Sequence, residues 1–187
     1  MNRQSFLLQN LLKGLAWFAL LVIAYLVVKR YVDVDYLDWL SPIYEKPLYV
    51  FSIFTVSEVV VGIIPPEVFM IWSLREGVAA IYISNVLILA TLSYAAGVIG
   101  YFIGSYLNQT QFYKTLEKNF FGKYTTYLDE YGGFLIIVAA LTPLPFSGIC
   151  MLVGALKYSF KKMLLFSLTR FIRFSAYAYI IWAAHYF

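Results

Sequence analysis

Sulfur, histidine and charge are what this sequence has least of. One cysteine, Cys150, in 187 residues excludes an internal disulfide and any cysteine-based metal cluster. One histidine, His185, leaves no His-led metal set and no Ser–His pair to expect. Neither a GxSG nor an HExxH pattern occurs, so the chain is not expected to be an enzyme or to hold a cofactor or metal. Only 13% of residues are charged, about half the share usual in soluble domains. The net charge of +4 is small and its basic residues are scattered, which gives no nucleic-acid patch. What is there is apolar: 62% hydrophobic residues and a mean hydropathy of +0.76. Those values describe an integral membrane protein, here expected as a single membrane domain over residues 1–187.

The organising stretch is Val56–Glu67, VSEVVVGIIPPE. Pro65-Pro66 removes two backbone donors and forces a helix arriving from Leu48 to stop. Pro66 suits the first position of a new helix, which puts Glu67 in its first turn. An acid, Glu58 or Glu67, therefore flanks each side of a break. In a bilayer such a break is tolerated only when packed in protein or facing a watery cavity.

In chain order, Phe6–Val28 is long enough to span the ~30 Å hydrocarbon core. A cleaved signal peptide would show Ala-x-Ala chemistry, whereas Lys29-Arg30 follows directly, so an uncleaved helix over 1–30 is expected. The link Lys29–Pro47 is acidic and rich in tyrosine and tryptophan, as an interfacial belt is. A short arm from Glu67 to Leu74 covers roughly 12 Å, under half a bilayer. Val78–Leu107 carries no charge and predicts a spanning helix, so 48–107 is a broken hairpin plus a span. Its Gly97, Gly100 and Gly104 share a face, read as a close-packing seam or as a smooth wall for an acyl or prenyl chain. Asn108–Glu130 is amphipathic and basic, which predicts a surface segment over 108–130.

Residues 131–187 repeat the logic. Phe134–Thr142 and Phe146–Leu156 flank a break at Pro143-Leu144-Pro145, and Met163–Phe187 predicts a last helix. Paired broken segments are the mark of repeat-built transporters. Counting basic residues decides whether the broken segments cross. If both return to the side they entered, Arg3, Lys114, Lys118, Lys123, Lys157, Lys161 and Lys162 lie inside, against Lys29, Arg30, Lys46 and Arg75 outside. Two full crossings would reverse that bias. The fold class is thus an all-α polytopic membrane protein: three long transmembrane helices plus two oppositely facing re-entrant hairpins forming an inverted repeat. Its N-terminus would be cytoplasmic and its C-terminus outside.

Arg170 and Arg173 share a face of the last helix at depths of roughly 12 and 16 Å, and Glu58 reaches roughly 15 Å. Charges of opposite sign at one membrane level are costly unless they pair or face water. They read either as salt bridges that lock the hairpins to the last helix, or as a polar site for a headgroup or a proton.

Glu58, Pro65 and Glu67 in that spacing, Gly97-x-x-Gly100-Tyr101-x-x-Gly104, then Glu130-Tyr131-Gly132, the Pro143 turn and Val153-Gly154-Ala155, together resemble the DedA/VTT-domain (SNARE-associated Golgi protein) superfamily over about residues 45–185. The resemblance implies two re-entrant hairpins meeting in the membrane and a role in moving lipids between leaflets. Eukaryotic relatives are associated with lipid scrambling, and bacterial ones with recycling undecaprenyl phosphate and with proton-motive-force-dependent envelope homeostasis. Glu58 and Glu67 fall on the family's acidic positions. The arginines that many bacterial members carry near the second proline turn fall on Ala140 and Phe146, so Arg170 and Arg173 would stand in for them from the last helix.

The expected function is a flippase or scramblase for a phospholipid or polyprenyl phosphate, in a bacterial inner membrane. Arg170 and Arg173 would hold the phosphate, and Glu58 and Glu67 would gate it or carry protons. Membrane lipids, protons and a second copy in a homo-oligomer are the expected partners. The alternatives are a proton-coupled ion or small-molecule antiporter and a membrane assembly factor that transports nothing.

Overall fold

The computed structural model describes residues 45–60, 62–107, 125–142 and 144–186, with Leu20 and Ile23 in helix, and only the backbone of 125–131 and 186. The expected span Phe6–Val28 (apart from Leu20 and Ile23), the link 29–44, residues 108–124 of the surface segment, and Val61 and Pro143 lie outside the described residues. Among the described residues every regular element is helical: α1 Pro47–Val59, α2 Pro66–Trp72, a 3-10 turn Ser73–Glu76, α3 Ala79–Leu107, α4 Thr125–Leu141, α5 Phe146–Ala155, α6 Phe160–Ser167 and α7 Thr169–Tyr186. Among the described residues two helical stretches are long and apolar enough to cross a membrane, Ala79–Leu107 and Phe160–His185. The second is α6 and α7 joined through Leu168. There the Thr169 hydroxyl donates to the Phe166 carbonyl, and Phe171 N–H reaches back only to Leu168. Residues Thr125–Glu130 of the expected surface segment are the first turns of α4.

Helix α3 is the axis from which every other element takes its level. It is antiparallel to α7: Tyr82 meets Ala178 and Trp182 near one end, and Tyr94 packs on Phe171 nearer the middle. Helices α1 and α2 form a hairpin, since the ring pairs Phe51–Trp72 and Phe54–Phe69 run in opposite sequence directions. Its open end lies beside the start of α3, where Pro47, Trp72 and Ile81 line one cleft. Its turn lies by Ser93, the midpoint of α3, roughly 21 Å along that helix at its usual rise. Helices α4 and α5 form a second hairpin, with Gly132 against Tyr158 at its open end. That end is tied to the far half of α3 by the Tyr101 hydroxyl donating to the Tyr158 carbonyl at 2.6 Å. The two hairpins therefore approach α3 from opposite ends, and their turns meet at its middle.

The core follows this layering. One apolar cluster gathers Val50, Phe54, Phe69, Met70, Tyr82, Leu89, Phe174 and Ile181 on the α1–α2 side. Another gathers Tyr101, Ile136, Ala140, Phe146, Cys150, Val153 and Met163 on the α4–α5 side. Between them lies a buried polar layer of Ser57, Glu58, Glu67, Ser93, Thr142, Ser147, Arg170 and Arg173. The outer faces are apolar as well: Ile83, Phe102, Ile172 and Tyr179 are each more than half exposed. A surface of that kind suits hydrocarbon rather than water.

Candidate functional site

Each hairpin turn must satisfy its own backbone, and the sequence supplies the means. At the first turn Gly62 takes φ +67°, the left-handed region where a side chain would be strained. Its N–H donates to the Ser57 carbonyl at 2.7 Å, and the Ile64 N–H donates to the Ser57 hydroxyl at 2.8 Å. Pro65 and Pro66 have no N–H to satisfy, and Pro66 opens α2. One serine thus accepts the donors that the break would otherwise leave bare. At the second turn Thr142 ends α4, its hydroxyl donating back to the Val138 carbonyl at 2.6 Å, and Pro145 precedes α5. The carbonyl left over at the end of α4 accepts a hydrogen bond from Arg173 Nη1.

Four charges meet between these turns. Arg170 Nη2 lies 2.9 and 3.2 Å from the two Glu58 carboxylate oxygens, and Arg170 Nε donates to Ser93 Oγ at 2.8 Å. The Ser93 hydroxyl itself donates to Glu58 Oε2. Arg173 Nη2 donates to Glu67 Oε1 at 2.7 Å, and its other arm holds the Thr142 carbonyl. All four charged residues are at most 6% exposed. The guanidinium of Arg170 lies over the rings of Phe146 and Phe174, 4.8 and 5.5 Å from their centroids, and Arg173 lies over Tyr177 at 5.0 Å. The formal charge of the cluster is zero, which is what makes burying it tolerable.

The hairpins also touch without charge. Ser147, in the first turn of α5, donates its hydroxyl to the Glu58 carbonyl. Beside this contact lies a cavity of about 160 Å³, lined by Glu58, Gly62, Pro65, Pro66, Leu144, Pro145, Phe146, Ser147, Arg170 and Arg173. It is smaller than the roughly 300–1,000 Å³ of drug-sized pockets, large enough for a headgroup but not for a whole lipid.

Of the residues singled out in the sequence, Glu58, Glu67, Arg170 and Arg173 are brought together, and Pro65, Pro66 and Pro145 rim the same cavity. Glu67 lines the cluster but not the cavity. Gly97, Gly100 and Gly104 are elsewhere, forming a seam with α5. A Cβ on Gly100 would lie 2.6 Å from the Ser147 carbonyl oxygen, and one on Gly104 would lie 1.9 Å from that of Met151. Backbone packs on backbone at Gly100 and Gly104, and the Phe146 ring packs against Gly97, so the stripe lies against α5. Tyr101 crosses from that seam to Tyr158. Sequence reasoning missed Ser57, Ser93, Thr142 and Ser147. Their only signal was a small polar residue in an apolar run. Among the described residues no cluster of histidine, cysteine and carboxylate could hold a metal.

An all-helical chain with membrane-length apolar helices, an apolar exterior and a charged layer sealed between two apolar cores is an integral membrane protein. The VTT domain matches residues 64–183, which is more than half of the chain. The protein belongs to the VTT-domain family, the DedA/SNARE-associated Golgi protein family. Glu67, Arg170 and Arg173 fall within the matched region, and Glu58 falls just before it. No curated protein and no solved structure matches the chain.

Proposed function

We propose that this protein moves a lipid between leaflets, with the two hairpins re-entrant from opposite faces and related as an inverted repeat. The observation that carries the reading is the charged layer. Glu58, Glu67, Arg170 and Arg173 are buried between the facing turns of two helix-break-helix hairpins, and all but Glu67 border a cavity of headgroup size. A purely structural lock is better made from apolar side chains, because desolvating four charges costs more than their pairing returns in many folds. Broken helices whose turns meet at mid-depth are the usual site of substrate binding in repeat-built transporters. The family's links to membrane transport and lipid homeostasis point the same way.

In this reading the headgroup of a phospholipid or polyprenyl phosphate occupies the cavity while its chains stay in the hydrocarbon. Glu58 and Glu67 gate the passage or carry protons. Phe6–Val28 is the third long span, the N-terminus is cytoplasmic, the C-terminus is outside, and the membrane is a bacterial inner membrane. The test is translocation in proteoliposomes, read with fluorescent phospholipid and polyprenyl phosphate probes beside a pH-gradient-driven cation flux. Lipid exchange by wild type and its loss in Glu58→Gln are expected. Cation flux without lipid exchange would assign the cluster to an antiporter instead.

A further inference from the structure

The two arginines are not equivalent. Arg173 has both Nη atoms engaged: one closes on Glu67 in the first turn of α2, the other on the Thr142 carbonyl at the end of α4. It ties one hairpin to the other. Arg170 spends Nε on Ser93 and Nη2 on Glu58, and leaves Nη1 with no partner. That nitrogen is the one buried side-chain polar atom without a hydrogen bond among the described residues, on a side chain only 3% exposed. An unmet donor of this kind is costly in a fold and rare without a purpose.

Its surroundings say what it awaits. The Arg170 guanidinium is held by hydrogen bonds to Ser93 and Glu58 and lies over the rings of Phe146 and Phe174, so Nη1 has little freedom to search elsewhere. Arg170 borders the cavity, and so does the first turn of α5. The leading amides of a ten-residue helix have no intrahelical acceptor and carry its positive end. A guanidinium N–H and a helix N-terminus at one cavity form a donor set for a tetrahedral oxyanion. We infer that Arg170, through Nη1 and with the first turn of α5, is the residue that receives a phosphoryl oxygen, while Arg173, which also borders the cavity, has both arms committed to holding the hairpins together. This assignment rests on the reading that a lipid headgroup enters the cavity.

Lysine at either position keeps the charge but cannot reproduce a planar fork that serves three directions. The test is binding of two probes, inorganic phosphate and dihexanoyl phosphatidate, to the detergent-purified full chain. Arg170→Lys is expected to weaken binding at least about tenfold, ~1.4 kcal/mol, while Tyr101→Phe, which removes a hydrogen bond outside the cavity, stays within about twofold of wild type but melts at a lower temperature. Binding of phosphatidate alone assigns the donors to a lipid headgroup, and equal binding of both probes assigns them to free phosphate. Wild-type affinity in Arg170→Lys, an equal loss in Tyr101→Phe, or no binding of either probe by wild type would overturn the assignment. If Arg170→Lys does not fold, phenylglyoxal modification of wild type replaces it. Bound probe should slow the reaction at Arg170, and an unchanged rate there would count against the inference. Lost binding in Arg170→Lys with undiminished lipid exchange would sink the translocation reading and leave the donor assignment standing. Intact binding with lost exchange would do the reverse.

Discussion

Glu58→Gln removes one negative charge from the polar layer and almost no volume. The glutamine oxygen keeps an acceptor for Arg170 Nη2 or the Ser93 hydroxyl, so what goes is the ionic part of a contact at 2.9 Å. What remains is a cation only 3% exposed, over two rings, with no counter-charge in contact. Breaking one half of a buried pair costs about 3–5 kcal/mol, and the retained hydrogen bond puts this case near 3. The matched change Glu58→Gln/Arg170→Gln removes both charges and should recover at least about 2 kcal/mol, a coupling energy at the upper end of those found between touching residues. Denaturant unfolding in detergent micelles, followed by tryptophan fluorescence, measures both. A loss below about 0.5 kcal/mol for the single change, the range of surface substitutions, would mean that Arg170 is solvated, and the burial argument would fall.

Three further outcomes follow from the packing. Gly104→Ala puts a methyl 1.9 Å from the Met151 carbonyl oxygen, a backbone atom that cannot rotate away, so α3 and α5 must separate. A loss of at least the ~1–3 kcal/mol of an overpacked core is expected in the same unfolding assay. Gly62→Ala meets only Glu58 Oε1, at an uncrowded 3.8 Å, so its cost is that of the left-handed backbone alone, roughly 1–2 kcal/mol; a neutral result would mean that the turn relaxes. Tyr101→Phe deletes one hydrogen bond to the Tyr158 carbonyl and leaves that acceptor buried, which should lower stability by roughly 1–3 kcal/mol without touching the charged layer.

The breaks were legible because proline leaves no choice: Pro65-Pro66 and Pro145 cannot continue a helix, and α2 and α5 begin at or just after them. The charges were legible because ionisable residues in an apolar run are expensive and must find one another. Which acid would meet which arginine was not, since pairing depends on how α7 rotates against the hairpin turns. Nor were the serines. Ser84 and Thr91 in α3 bond back to their own helix, as such residues usually do, while Ser93 in the same helix reaches across to Glu58 and Arg170. Nothing in local sequence separates those two fates. That the amphipathic segment runs into the second hairpin as one helix from Thr125 was not legible either, because Gly132-Gly133 reads as a boundary between them.

The measurement that decides most is lipid exchange by proteoliposomes carrying wild type beside the matched variant Glu58→Gln/Arg170→Gln, both first shown to be folded. If the charged layer is the transport site, wild type exchanges labelled lipid and the matched variant, though stable, does not. Exchange at the wild-type rate in the matched variant would contradict that claim and leave the buried charges as a structural lock.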